Sequence, residues 1–320
     1  MKATAITITC TLVLLVLAWV AALAFGGPKP IAPLPSINAP FKKVDFSDVP
    51  VSRSFVARDG TRLAWLAYPA TGPAPGNRRI VLVHGSSARA RSMHVLSRSL
   101  AKAGFTVAAL DMRGHGDSGA RGQAAYIDQL GDDVADFMRA VPHAGPSTLA
   151  GFSSGGGFAL RFAGGKRQDL FDRYMLLAPY LHRTAPTQRV IEDPWVSVGL
   201  PRFVALSLLN RIGITAWNHL PVLRFGLDDA VKEQLTSNYS YTLTQAFGPH
   251  DDYQGDIRGS HQPMQVLAGS EDELFDASRY ASTFADAGRQ LPVTVVPGVN
   301  HMGLTLDARA MPAIIEAARK

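Results

Sequence analysis

Cysteine is almost missing from this chain. Of its 320 residues only Cys10 carries a thiol. A single cysteine excludes an intramolecular disulfide framework, and Cys10 sits in the apolar N-terminus, away from any candidate site. It leaves the redox compartment open. No lysine and arginine run interleaved with aromatics is present, so no nucleic-acid partner is expected. The net charge of +6 then finds a more natural counterpart in anionic lipid headgroups. Metal-ligand patterns are equally scarce. His250-Asp251-Asp252 has suitable residue types but no second ligand pair at an interpretable spacing, so no metal or other cofactor is expected. Internal repeats are absent. What is there, 47% hydrophobic and 18% charged residues, suffices for one large α/β core with an insertion.

Charge is also missing from residues 3–28, and residues 6–25 are almost wholly apolar. A helix needs about 20 such residues to cross a bilayer core. A cleavable signal peptide is the competing reading, because Ala22-Leu23-Ala24 fits an A-x-A cleavage site. Its hydrophobic region usually runs to only about 7–15 residues, so the length favours an uncleaved single-pass anchor over residues 1–27. Lys2 flanks one side and Lys29, Lys42 and Lys43 the other, and this charge pattern alone leans toward a cytoplasmic catalytic domain. Analogy with single N-terminal anchors points the other way. An extracytoplasmic domain is expected, with secretion after signal cleavage as the alternative. Residues 28–50 follow, with prolines at 28, 30, 33, 35 and 40. Such density reads as a semi-extended spacer that cannot pack as a helix or a central strand.

The remainder, residues 51–320, reads as one domain. Alternating residues on both sides of Asp59-Gly60 predict a β-hairpin. Apolar strands are then expected near residues 79–83, 105–110, 147–151, 173–177, 264–268 and 292–296, alternating with helical stretches. That alternation implies a mostly parallel sheet covered on both faces by helices. One stretch breaks it. Residues 180–262 hold no obvious sheet strand, and residues 201–212 read as an apolar helix with Pro201 in its first turn.

The chemistry is carried by Gly151-Phe152-Ser153-Ser154-Gly155, a G-x-S-x-G pattern lying between a predicted strand and a predicted helix. A sharp strand-to-helix turn presents the serine above a helix N-terminus, where free N–H groups favour developing negative charge. A serine hydroxyl is a weak nucleophile at neutral pH, so it needs a histidine base and an acid to orient that base. Downstream, the acidic cluster Glu271-Asp272-Glu273 and then His301 each follow a predicted strand, giving the order serine, acid, histidine. All three carboxylates remain candidates on this reading. Open α/β sheets build their sites at that edge.

These motifs resemble the α/β-hydrolase superfamily, and within it the branch of monoacylglycerol lipases, lysophospholipases and serine aminopeptidase-like hydrolases. Val83-His84-Gly85-Ser86 looks like the family's strand ending before the first oxyanion-hole residue, and Asp111-Met112-Arg113-Gly114-His115-Gly116-Asp117-Ser118 like its D-x-R-G-x-G-x-S loop. The resemblance covers about residue 51 to the C-terminus. It implies Ser153 as nucleophile, His301 as base and, from the Gly-x-x-Asp spacing after Gly269, Asp272 as the acid. Backbone N–H groups of Ser86 and Ser154 would form the oxyanion hole. It also implies a helical lid inserted at about residues 180–262, and a structural role for Asp111, Arg113, His115 and Asp117. The expected activity is hydrolysis of an ester, with lipid esters such as monoacylglycerol or lysophospholipid in view. Amide cleavage of the aminopeptidase kind and non-catalytic ligand binding are the alternatives.

Overall fold

The computed structural model describes residues 2–73, 77–190 and 194–320. The chain opens with α1 (Lys2–Phe25) and the short α2 (Pro35–Asn38). A hairpin follows, β1 (Arg53–Val56) and β2 (Arg62–Tyr68), paired antiparallel around the Asp59-Gly60 turn. Gly60 adopts φ +82° there, a conformation that a side chain would resist. Strands and helices then alternate: β3 (Arg79–Val83), α3 (His94–Lys102), β4 (Thr106–Leu110), α4 (Gln129–Ala140), β5 (Ser147–Phe152), α5 (Ser154–Gly164) and β6 (Arg173–Leu177).

Residues 178–263 leave the main sheet and build β7 (Val196–Val198), α6 (Leu200–Arg211), β8 (Pro221–Phe225), β9 (Asn238–Ser240), α7 (Tyr241–Ala246) and α8 (Tyr253–Gly259). The main layer resumes with β10 (Met264–Gly269), α9 (Tyr280–Asp286), β11 (Val293–Val296), α10 (Gly303–Leu306) and α11 (Met311–Arg319).

The main sheet has the order β1-β2-β4-β3-β5-β6-β10-β11. Pairings from β4 through β11 are parallel, and only the hairpin end is antiparallel. Every residue of β3 and β5 is buried, as the continuous apolar runs of a sheet covered on both faces require. Helices present spaced apolar stripes to it. In α4, Leu130, Val134 and Phe137 are buried, and the Phe137 ring meets Phe55 and Trp65 edge-on at 5.4 and 5.3 Å.

Two expectations are corrected here. The insertion is not simply helical: β7, β8 and β9 form a second, antiparallel three-stranded sheet. Strands of three to five residues, one of them opening on Pro221, are too short to print a period-2 pattern. Residues 191–193, within the same insertion, lie outside the described residues. The proline-rich segment likewise does pack. Pro35 occupies the first turn of α2, where its missing N–H costs nothing, and a tight helical turn (Ala39–Lys43) follows directly. Ile37 and Asn38 are buried, and Asn38 Nδ2 donates to the Gly226 carbonyl at 3.1 Å. Lys42 pairs with Asp228 at 2.9 Å. Contacts distant in sequence decide this segment, and local composition does not record them.

Helix α1 is long and apolar enough to cross a membrane by length and composition, with mean hydropathy 2.6 over Ile6–Phe25. Its C-terminal turn is docked on the insertion. Trp19 and Leu23 pack against Leu206, Leu209, Val222 and Tyr241. Arg202 donates from Nε to the Leu23 carbonyl at 2.8 Å, and from its two terminal nitrogens to Ala24 (3.0 Å) and Pro221 (2.9 Å). A cation over the last free carbonyls of a helix satisfies them and complements the dipole.

Candidate active site

Ser153 lies between β5 and α5 with φ 56° and ψ −120°. That backbone region belongs to glycine, and holding a serine in it costs on the order of 1–3 kcal/mol. Surrounding hydrogen bonds impose it. The Ser153 N–H donates to the Leu177 carbonyl at 2.9 Å, and its own carbonyl accepts from Gly157 and Tyr180, each at 3.0 Å. The turn closes tightly enough that a Cβ on Gly151 would lie 2.0 Å from the Gly155 carbonyl oxygen, and one on Gly155 would lie 2.3 Å from that of His84. Both positions are glycine because backbone occupies the space. Ser154 is the first residue of α5, so its N–H has no partner within the helix.

Histidine and acid arrive from the ends of two neighbouring strands. Asp272 follows β10 and His301 follows β11, and Asp272 Oδ2 lies 2.8 Å from His301 Nδ1 with both side chains buried. The other Asp272 oxygen accepts the backbone N–H groups of Leu274 and Phe275, each at 2.9 Å. Both oxygens are thus committed, and the carboxylate is fixed in rotation. Phe152 and Phe275 flank the His301 ring, with centroids at 4.7 and 5.2 Å. Of the two competing carboxylates, Glu271 is exposed. Glu273 is not a free surface charge: its Oε2 accepts the His301 backbone N–H at 3.0 Å, while its buried Oε1 has no partner among the described residues. Residue type and chain order do not separate three carboxylates in one tripeptide; the loop's path does, and it turns Asp272 toward His301, as the family spacing implies.

Ser86, just beyond β3, faces the same cavity as Ser153 and His301. Its Oγ is hydrogen-bonded to Ser154 Oγ, so the two residues expected to supply oxyanion donors stand side by side. The turn holding Ser86 is gripped from the insertion. Ser87, at φ 64°, donates its N–H to Tyr239 Oη at 2.5 Å and its Oγ to the Thr236 carbonyl at 2.8 Å. Tyr239 Oη in turn donates to His115 Nε2 at 2.6 Å, and His115 Nδ1 lies 3.1 Å from the Arg113 carbonyl. Burial, with His84 nearby, lowers the His115 pKa well below its ordinary value, so the ring is neutral and can accept. Burial likewise lowers that of His84 to about 4, and its Nε2 accepts the Met112 N–H at 3.3 Å. No local motif marks Tyr239 or Thr236; the only trace in the sequence is their place within the insertion.

The charged loop around Asp111 does structural work. Asp111 accepts the N–H groups of Ala90 (2.6 Å) and Asp117 (3.0 Å), and burial raises its pKa. Burial alone would lower the Arg113 pKa, but Asp133 and Asp59 outweigh it and hold the guanidinium above its ordinary value. The Asp133 contact is bidentate, at 2.7 and 2.8 Å. His250 Nδ1 lies 2.6 Å from Asp256 Oδ1.

The cavity containing Ser153 has a volume of about 170 Å³ and opens to solvent. Apolar side chains dominate its walls, with Arg89 and Arg91 as the ionised exceptions. A mostly parallel sheet of this order, with a serine at a strained strand-to-helix turn and a carboxylate–histidine pair beyond two further strands, defines the α/β-hydrolase fold. Residues 75–306 match the family described as Serine aminopeptidase, S33, and the chain belongs to that family. It is 35% identical over 116 residues to the monoacylglycerol lipase of Mycolicibacterium smegmatis. That match covers 34% of this chain and 40% of the lipase, about two fifths of the relative's length. Among solved structures it resembles a soluble variant of the monoglyceride lipase of Saccharomyces cerevisiae (TM-score 0.63, 17% identity, 87% of this chain and 96% of that one). The monoacylglycerol lipase of Paleococcus ferrophilus is similar too (TM-score 0.58, 20% identity, 80% and 98%). So is an esterase from Thermogutta terrifontis (TM-score 0.57, 20% identity, 84% and 97%). At these identities the structural likeness speaks for the fold.

Proposed function

We propose that the protein is a membrane-anchored serine hydrolase that cleaves carboxylic esters of lipid character, such as monoacylglycerols or lysophospholipids, through an acyl-enzyme. The observation that carries this reading is the buried Asp272–His301 pair beside a cavity that also holds Ser153 at the strained turn. Ser153 Oγ attacks the ester carbonyl while His301 Nε2 takes its proton. Asp272 accepts from Nδ1–H, which fixes the tautomer and stabilises the imidazolium as it forms. The N–H groups of Ser86 and Ser154 receive the oxyanion, and His301 returns the proton to the departing alcohol. Water, deprotonated by the same histidine, then frees the acid and regenerates Ser153.

In this reading residues 1–27 anchor the chain, 28–50 link it to the catalytic domain of residues 51–320, and 180–262 act as a lid. The catalytic domain lies outside the cytoplasm. Trp195, Leu227, Val231 and Leu235 of the insertion reach the cavity, which supports the lid role. An aminopeptidase-type site needs a carboxylate for the substrate's α-ammonium group. Among the described residues, the side chains lining this cavity include two arginines and no acidic group, which speaks against an α-ammonium substrate and supports the ester reading over the aminopeptidase one. A fluorophosphonate probe should label Ser153, and Ser153→Ala should remove both labelling and ester turnover. Labelling that survives the substitution, or moves to Ser154, refutes the assignment.

A further inference from the structure

The cavity has a wall that the family match does not include. Ile37, Asn38, Phe41 and Phe46 line it, yet all precede residue 75, where that match begins. The segment carrying them is fastened at both ends. Asn38 Nδ2 holds the Gly226 carbonyl at 3.1 Å, Asn38 Oδ1 accepts the Asp228 N–H at 3.4 Å, and Lys42 pairs with Asp228 at 2.9 Å. Further along, Asp48 bridges His94 Nε2 (2.9 Å) and Arg98 (2.7 Å), while the Arg91 guanidinium covers the Phe46 ring at 4.7 Å. A flexible tether has no use for such fastenings, and an Ile37 that is 8% exposed is not a tether residue.

We propose that the segment linking α1 to the catalytic domain is a specificity-determining wall of the acyl pocket, with Ile37 and Phe41 contacting the acyl chain and setting the length accepted. This rests on the ester-hydrolase reading above. The wall is aliphatic and aromatic, so the part of the substrate lying against it is a hydrocarbon chain. Short acyl groups, held at Ser153 by the oxyanion donors alone, gain little from it. Long chains gain contact with each methylene that reaches it. Chain-length selectivity, as distinct from catalysis, therefore depends on residues before the catalytic domain.

The test uses the full chain in detergent micelles and p-nitrophenyl esters from acetyl to hexadecanoyl. The readout is the ratio of kcat/KM for the dodecanoyl ester to that for the acetyl ester. Ile37→Trp, which fills the cavity, and Phe41→Ala, which strips the wall, should each lower this ratio about tenfold or more, the scale on which apolar pockets discriminate methylenes. Val56→Ala, exposed on β1, should leave it within about twofold, as surface substitutions usually do. Ratios unchanged in both wall variants, with fluorophosphonate labelling retained, overturn the inference and leave the hydrolase reading standing. Should Ile37→Trp lose labelling and so fail to fold, Phe41→Ala decides alone. Wild-type protein that neither hydrolyses any of the esters nor takes the label overturns the hydrolase reading itself, and the wall inference with it.

Discussion

Removing one oxygen atom, in Tyr239→Phe, separates the grip of the insertion on the oxyanion turn from the packing around it. The ring remains, with its edge-on contacts to Phe225 (4.7 Å) and His115 (5.1 Å). Two buried polar groups lose their partner: the Ser87 N–H, held at 2.5 Å, and His115 Nε2, held at 2.6 Å. Each orphaned group costs about 1–3 kcal/mol, so the variant should lose roughly 2–6 kcal/mol of stability. Ser87 sits at φ 64°, a conformation that costs free energy to hold, so the turn, left with its Thr236 hydrogen bonds, should relax in part and carry Ser86 with it. Complete loss of one oxyanion donor costs on the order of 10²–10³ in kcat, so a displaced one should cost roughly 10–100-fold. KM for a short ester should stay within about twofold, because an interaction realised in the transition state leaves ground-state binding alone. Urea denaturation and steady-state kinetics on the acetyl ester, both in detergent, measure the two effects. Stability lost with kcat intact would refute the reasoning, since the insertion would then brace the fold without governing the turn.

Other outcomes follow from the same geometry. Asp272→Asn should lower turnover by about 10³–10⁴ with the fold intact, by misorienting His301, whereas Glu271→Gln should stay within a few-fold; a crippling Glu271→Gln would reverse the choice of acid. His84, buried and neutral with its pKa lowered to about 4, binds a proton more readily when unfolded. Its stabilisation is therefore full above pH of about 6.5 and is lost as the pH falls toward 4, roughly 3 kcal/mol in all. Asp111, raised by burial, acts in the opposite sense from 3.8 upward, so the effect is read as wild type minus His84→Gln by chemical denaturation. A flat difference between pH 6.5 and 4.5 would contradict it. The full chain should stay in membranes through 1 M salt, where screening reaches about 3 Å, and through alkaline carbonate, and yield to detergent. A mature N-terminus at Phe25 would show cleavage after Ala24 instead.

Much of the main layer is legible in the sequence because it follows from local patterns. Parallel strands buried on both faces are near-continuous apolar runs, and β3 and β6 have the bounds expected from them, each with one arginine at its start. The turn at Ser153 announces itself through glycines that backbone crowding demands. That an acid should meet His301 follows from chain order and from the position of each beyond a strand, while the choice of Asp272 among three carboxylates comes from the family's Gly-x-x-Asp spacing. What stays hidden depends on contacts between distant segments. The insertion's strands are too short for a period, and α2 forms where proline density argues against a helix because Ile37 and Asn38 find partners far along the chain. Tyr239 has no motif at all. Glu273 is invisible in the same way, since its tie to the His301 backbone exists only once two loops have met.

The crowding at the elbow also limits where evolution can act. With His84 and Gly155 carbonyl oxygens standing 2.3 and 2.0 Å from any methyl added at Gly155 or Gly151, the reacting strip tolerates almost no variation. Substitutions that alter substrate fit are better accommodated in walls remote from those two glycines. In this chain such walls include Trp195, Leu227, Val231 and Leu235 of the insertion and the segment behind α1, whereas Thr236 and Tyr239 of the same insertion hold the Ser87 turn and are not free to change. Libraries built to retune selectivity should therefore sample residues 37–46 and 195–235 and leave residues 151–157 untouched.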